Sequence, residues 1–130
     1  MALMQITNRE KLVELDPRLD ILVREVAKIL PVIILTGYRG IIEQNKAFES
    51  GKSLFKFPQS KHNKTPSFAV DLAPMPLDWK DTKRFYYFGG FVLGIANRLG
   101  MSLIWGGDWD RDHDLNDQKL MDLVHFELML

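Results

Sequence analysis

Cysteine is absent from this chain, which excludes disulfides and thiolate metal sites. Histidine is scarce: the 130 residues hold three, His62, His113 and His125. Charge of one sign is not in excess either, because 17 Lys and Arg balance 17 Asp and Glu. A neutral chain with no long basic run has no electrostatic footprint for nucleic acid or anionic lipid. Long hydrophobic runs are also missing. The longest, ILPVIIL (29–35) and FYYFGGFVLGIA (85–96), fall well short of the roughly 20 residues that span a bilayer. The opening MALMQITNREKLVEL lacks the basic-then-apolar pattern of a cleavable signal, so export by that route is not expected.

What remains is ordinary for a globular protein, 46% apolar and 26% charged. The length suits one domain over 1–130 with a core that needs no staples. Residues 8–15 have helical periodicity, with Thr7 or Asn8 as cap. Asp16-Pro17 reads as an N-cap followed by a first-turn proline, and Leu19, Leu22, Val23, Val26 and Leu30 repeat at helical spacing, which predicts a second helix over 17–29. VIIL (32–35) is a buried strand running into TGYRG. A helix over 41–50 with Gly51 at its end follows, then a polar loop over 51–67. FAVDLA (68–73) reads as a strand and Asp81 to Leu99 as a long helix capped by Gly100. Its aromatics are core, and Gly89, Gly90 and Gly94 are expected to allow close packing on the sheet. SLIWGG (102–107) and VHFEL (124–128) complete the strands. This ordering predicts an α+β fold, a small antiparallel sheet flanked by helices, in preference to the α/β reading that the tight loop from VIIL into the next helix also allows.

The strand at 68–73 sets Asp71 among Phe68, Ala69, Val70, Leu72 and Ala73, where a lone carboxylate is costly to bury. Two readings answer this. His62, Asp71 and His125 supply the two imidazoles and one carboxylate that suit a catalytic zinc site with an open position. Alternatively each is a hydrogen-bonded polar group beside the core. On the last strand Val124, Phe126 and Leu128 share one face, and His125 and Glu127 the other. Asp122, three residues before His125, is placed either as a turn acid or as a proton carrier that takes a proton from water and passes it to a leaving amine. Arg39 is a surface arginine or a guanidinium that stabilises an oxyanion.

Taken together, Ser60-Lys61-His62, Ala69-Val70-Asp71 and Asp122-Leu123-Val124-His125 resemble the zinc peptidases that cut peptidoglycan stem peptides, the D-Ala-D-Ala carboxypeptidase and L-alanyl-D-glutamate endopeptidase family. GYR (37–39) with Gln44 resembles its upstream arginine segment. WGGDW (105–109) and HFEL (125–128) resemble its compact phage endolysin branch. The resemblance spans residues 36–128 in the family's order. It implies the D,D-peptidase/hedgehog-like fold, zinc on His62, Asp71 and His125, Asp122 as general base and acid, Arg39 on the scissile carbonyl, and Ser60, Tyr38 and Gln44 toward substrate. Many relatives carry Glu where this chain has Asp122, so the backbone must bring the shorter side chain closer.

The implied activity is hydrolysis of stem peptides at the L-Ala–D-Glu bond by a phage or prophage endolysin. It would act as a monomer that waits in the host cytoplasm until the membrane is permeabilised and then reaches the wall in the periplasm. The absence of a wall-binding domain fits a thin Gram-negative wall. A D-Ala-D-Ala carboxypeptidase or dipeptidase of the same fold, and a non-catalytic zinc-stabilised wall-binding module, are the alternatives. Asp122 and Arg39 weigh against the module, since a structural site needs neither.

A separate feature is DWDRDHDLND (108–117). Asp108, Asp110, Asp112 and Asp114 recur every second residue, as at the start of a calcium loop with Leu115 at position 8. His113 replaces the usual glycine at position 6 and Lys119 the glutamate at position 12. The loop therefore reads as a solvated acidic tip with calcium as the alternative, and His113 as exposed rather than a zinc ligand.

Overall fold

The computed structural model describes residues 5–119 and 121–130. Five strands form one sheet in the order β1-β2-β3-β5-β4: β1 (Ile6–Thr7), β2 (Val32–Thr36), β3 (Ala69–Pro74), β4 (Leu103–Gly106) and β5 (Asp122–Leu128). Three α-helices accompany it, α1 (Pro17–Ala27), α2 (Ile41–Glu49) and α3 (Thr82–Arg98). The fold is α+β as expected. Every strand pair is antiparallel except β1 with β2, which is parallel. The pattern reading missed β1, because two residues are too few to show alternation.

Local chemistry explains the boundaries. Asp16 caps α1, its Oδ1 accepting the Arg18 backbone N–H at 2.9 Å. Residues 9–14 form a 3-10 helix rather than an α-helix. Asn8 stands at its cap with φ 62°, and its side chain donates to the Ile34 carbonyl instead of capping. The α3 helix ends in a Schellman turn: Gly100 takes φ +74°, Met101 N–H donates to Ala96 O, and Gly100 N–H to Asn97 O. Gly51 closes α2 in the same way.

Helices α1 and α3 cover one face of the sheet. Leu19, Leu22, Val23 and Val26 of α1 and Phe88, Val92 and Ala96 of α3 pack on Val32, Ile34, Val70, Leu72, Leu103, Trp105, Phe126 and Leu128. Burying each large apolar side chain contributes about 1.5–3 kcal/mol. Close approach of α3 depends on Gly89, where a Cβ would stand 2.2 Å from the Trp105 ring. Gly90 and Gly94 play no such part, since a Cβ at either meets nothing within 4 Å. Val124 does not join Phe126 and Leu128 in the main core; it packs with Ala73 and Phe85 in a smaller cluster. Because strand side chains alternate, Asp71 between core residues Val70 and Leu72 faces away from the helices. So does His125, its direct partner across the β3–β5 ladder.

The ladder between β4 and β5 is irregular at this point. Pairing passes from Trp105 with Phe126 to Gly106 with Asp122, so one step of β4 opposes four of β5. A Cβ on Gly106 would lie 2.1 Å from the Asp122 carbonyl oxygen. Only glycine admits the Asp122 backbone so close. The result is a bulge in β5 at Asp122, seated on a bare glycine.

Candidate metal centre

His62, Asp71 and His125 converge on the uncovered face, all buried, with ligand atoms within 4.8 Å of one another. Their positions come from two local devices. Asp71 and His125 are set by the β3–β5 register. His62 sits in a 3-10 turn over Lys61–Asn63 that Ser60 caps, its Oγ accepting the His62 N–H at 3.2 Å while Asn63 Oδ1 accepts the Ser60 N–H at 3.0 Å. Arg39 is tied to that turn, because its N–H donates to His62 O at 2.8 Å and its carbonyl accepts from Asn63 Nδ2 at 2.9 Å.

The hydrogen bonds on the outer nitrogens decide what the inner ones can do. His62 Nδ1 lies 2.8 Å from the Gly37 carbonyl. A carbonyl only accepts, so the proton is on Nδ1 and the Nε2 lone pair points inward. His125 Nε2 lies 2.9 Å from Glu127 Oε1, which places its proton there and turns Nδ1 inward. Both inner nitrogens stand 3.2 Å from the same oxygen, Asp71 Oδ1. Two lone pairs and a carboxylate oxygen aimed at one point form a donor set that a metal cation satisfies. The described residues fit a metal at this place.

The electrostatics agree. Burial, the largest influence on Asp71, pushes its carboxyl up, but the His62 and His125 imidazoles outweigh it and hold the group well below the usual carboxylate range. Burial likewise pulls His125 down, and its hydrogen bonds to Asp71 and Glu127 reverse this, holding it up at about 9. Positive charge is therefore favoured at the centre: with no ion bound a proton on His125 Nδ1, facing Asp71, supplies it, and a metal cation would take that proton's place. Glu127 is braced by Lys61, whose Nζ lies 2.7 Å from Oε2 and donates to Leu128 O at 2.5 Å.

Asp122 stands beside this group. Burial raises its pKa first and the Asp71 charge second, while His125, His62 and Arg39 pull the other way. Arg39 is not a free surface arginine: Nη2 lies 3.6 Å from Asp71 Oδ2 and Nη1 donates to Gln44 Oε1 at 3.1 Å. Gln44 is fully buried, held by Ser53 and the Phe55 carbonyl. Ser60 and Gln44 thus serve the site from beneath, through His62 and Arg39. Tyr38 is 39% exposed next to Arg39. Sequence reasoning missed Lys61 and Asn63, both hidden inside the Ser-Lys-His-Asn run that drew attention for its histidine, and gave Glu127 no part beside His125.

In the acidic loop, Asp108, Asp110 and Asp112 bring their oxygens within 4.8 Å, as do Asp112, Asp114 and Asp117. Asp108 is 4% exposed, and its Oδ1 is buried without a hydrogen-bond partner among the described residues; Oδ2 accepts the His113 N–H at 2.9 Å. Burial, then the neighbouring Asp110 and Asp112, raise its pKa. Asp117 is pushed up to about 6 by Asp112 alongside it. His113 is exposed and takes φ 67°, so this backbone makes the sharp turn of position 6 without glycine.

Comparison with known proteins is consistent across sequence and fold. A family model described as phage L-alanyl-D-glutamate peptidase matches residues 3–129. The L-alanyl-D-glutamate peptidase of Escherichia phage T5 is 28% identical over 117 residues, covering 85% of this chain and 85% of that protein. The crystal structure of the Serratia marcescens L-Ala D-Glu endopeptidase ChiX superposes with a TM-score of 0.74 at 25% identity, covering 92% of this chain and 84% of that one.

Proposed function

The chain belongs to the phage L-alanyl-D-glutamate peptidase family, and on that footing we propose that it hydrolyses the L-alanyl–D-glutamyl bond of peptidoglycan stem peptides with one zinc ion held by His62, Asp71 and His125. The observation that carries the reading is the convergence of two imidazole lone pairs on Asp71 Oδ1, with Asp122 and Arg39 alongside. Zinc, when bound, supplies a Lewis acid that acidifies water and polarises a carbonyl.

The remaining work falls to the protein. Asp122, its pKa raised by burial, takes a proton as the water oxygen bonds to the L-Ala carbonyl carbon. It returns that proton to the D-Glu nitrogen as the C–N bond breaks. Arg39, fixed by Gln44, faces the negative charge that develops on the carbonyl oxygen. Tyr38 borders the substrate, and Ser60 holds the His62 turn in place. No helix among the described residues is long and apolar enough to cross a membrane. A monomer that is held in the host cytoplasm and reaches the periplasmic wall once the membrane is permeabilised completes the proposal.

Mass spectrometry of purified peptidoglycan after digestion is the test. New N-terminal D-Glu is expected. Release of C-terminal D-Ala instead would make the protein a carboxypeptidase of the same fold, and an undigested wall would leave only a binding module.

We also propose calcium as a second ion, in the acidic loop. Hard oxygen ligands select it, and the orphaned Asp108 Oδ1 supports a cation there. With no bidentate glutamate at position 12, affinity should be weak, on the order of 10⁻⁴–10⁻³ M. Millimolar calcium is expected to raise the melting temperature, and Asp110→Ala to remove that response. An unchanged melt in the parent protein returns the loop to a solvated tip.

A further inference from the structure

We propose that Trp105 is a positioning residue for Asp122, its indole N–H fixing the bulge that aims the carboxylate at the metal centre. The proposal rests on Asp122 acting as the base. Trp105 Nε1 donates to the Leu123 carbonyl at 2.8 Å. Leu123 is the residue after Asp122 and lies where pairing with β4 jumps from Phe126 to Asp122. A bulged carbonyl without a ladder donor needs another one, and the buried indole supplies it. The ring itself cannot turn. A Cβ on Gly89 would lie 2.2 Å from it and one on Gly107 2.5 Å, so backbone packs against the ring from α3 and from the following loop.

Trp105 is 2% exposed. From β4 the two neighbours Trp105 and Gly106 engage two successive carbonyls of β5, one on either side of Leu123. Gly106 receives the Asp122 carbonyl, and Trp105 holds the Leu123 carbonyl. A tryptophan serving only as core filler would affect stability. This one also sets the angle of a side chain on the opposite face.

A double-mutant cycle with Asp122→Asn tests the coupling, read as kcat, KM, metal content and melting temperature. Trp105→Phe is expected to lower kcat roughly 10–100-fold, the range for a small misplacement at a reacting centre, with KM and bound metal unchanged. In the Asp122→Asn background the same change should add no further loss. Losses that multiply in the double variant, or a Phe variant with unchanged kcat, overturn the proposal. An Asp122→Asn protein with parental turnover overturns the base assignment instead, which keeps the two failures apart.

Two measurements do not depend on how well the Phe variant folds. Gly106→Ala keeps the indole but displaces the Asp122 backbone, and should reproduce the kcat loss with metal retained. In the parent protein the Trp105 indole proton should exchange slowly with solvent; exchange as fast as that of exposed Trp79 would break the assignment.

Discussion

Asp122→Asn is expected to keep its fold and its metal and to lose about 10²–10⁴-fold in turnover, the span that a general acid–base group contributes. Asparagine preserves the shape of the side chain and suits the start of β5, so a merely structural Asp122 would leave activity near the parental level. What asparagine lacks is the ability to take up a proton and give it back. Asp122 has the environment for both acts: burial and the Asp71 charge raise its pKa, and His125, His62 and Arg39 limit the rise. The competing acids each have a partner elsewhere. Glu127 spans His125 and Lys61, and Asp108 accepts from the His113 backbone within the acidic loop. Hydrolysis and zinc content should be measured on the same preparation. Parental turnover in a zinc-loaded Asn variant would remove Asp122 from the mechanism.

Exhaustive chelation is expected to abolish hydrolysis, with zinc restoring it, and His125→Ala should bind no stoichiometric metal. Asp71→Asn should also weaken the ion, in contrast with Asp122→Asn, because it neutralises the oxygen on which both imidazoles converge. A graded variant is available one step further out. Glu127 accepts the outer proton of His125, so Glu127→Gln should lower metal affinity by about 10–100-fold without removing a ligand. Titration against a chelator of known affinity, alongside metal analysis, separates the three. Full activity after exhaustive chelation would sink the metal reading altogether.

The parts of this protein that could be read in its sequence are those where residue type and period carry the information. The α1 helix announced itself through the Asp16-Pro17 start and four buried positions at helical spacing. The clustering of His62, Asp71 and His125 was readable because histidine is scarce and Asp71 interrupts an apolar strand. Pairing across segments was not readable. The parallel contact of Ile6–Thr7 with β2 depends on tertiary docking. The 3-10 geometry at 9–14 depends on Asn8 reaching across to Ile34. Gly89, Gly90 and Gly94 look alike in the sequence, yet only Gly89 has a ring against it. For Ser60 and Gln44 the sequence marked the neighbourhood but not the hydrogen bonds to the His62 N–H and to Arg39, since the partner of a polar side chain is a property of three dimensions. The β5 bulge belongs in the same class: nothing in Asp122-Leu123-Val124-His125 says that three residues will face one peptide.

The pairing of Asp71 with His125 across β3 and β5 joins positions 54 residues apart. An ion held there is a cross-link between the middle of the chain and the strand that carries Asp122. Opening that strand would separate His125 from Asp71 and carry Asp122 away in the same motion. Metal retention and the placement of Asp122 would then be lost together when the strand opens, a route distinct from substitution at Trp105 or Gly106, which is expected to shift Asp122 with the strand and its ligand in place.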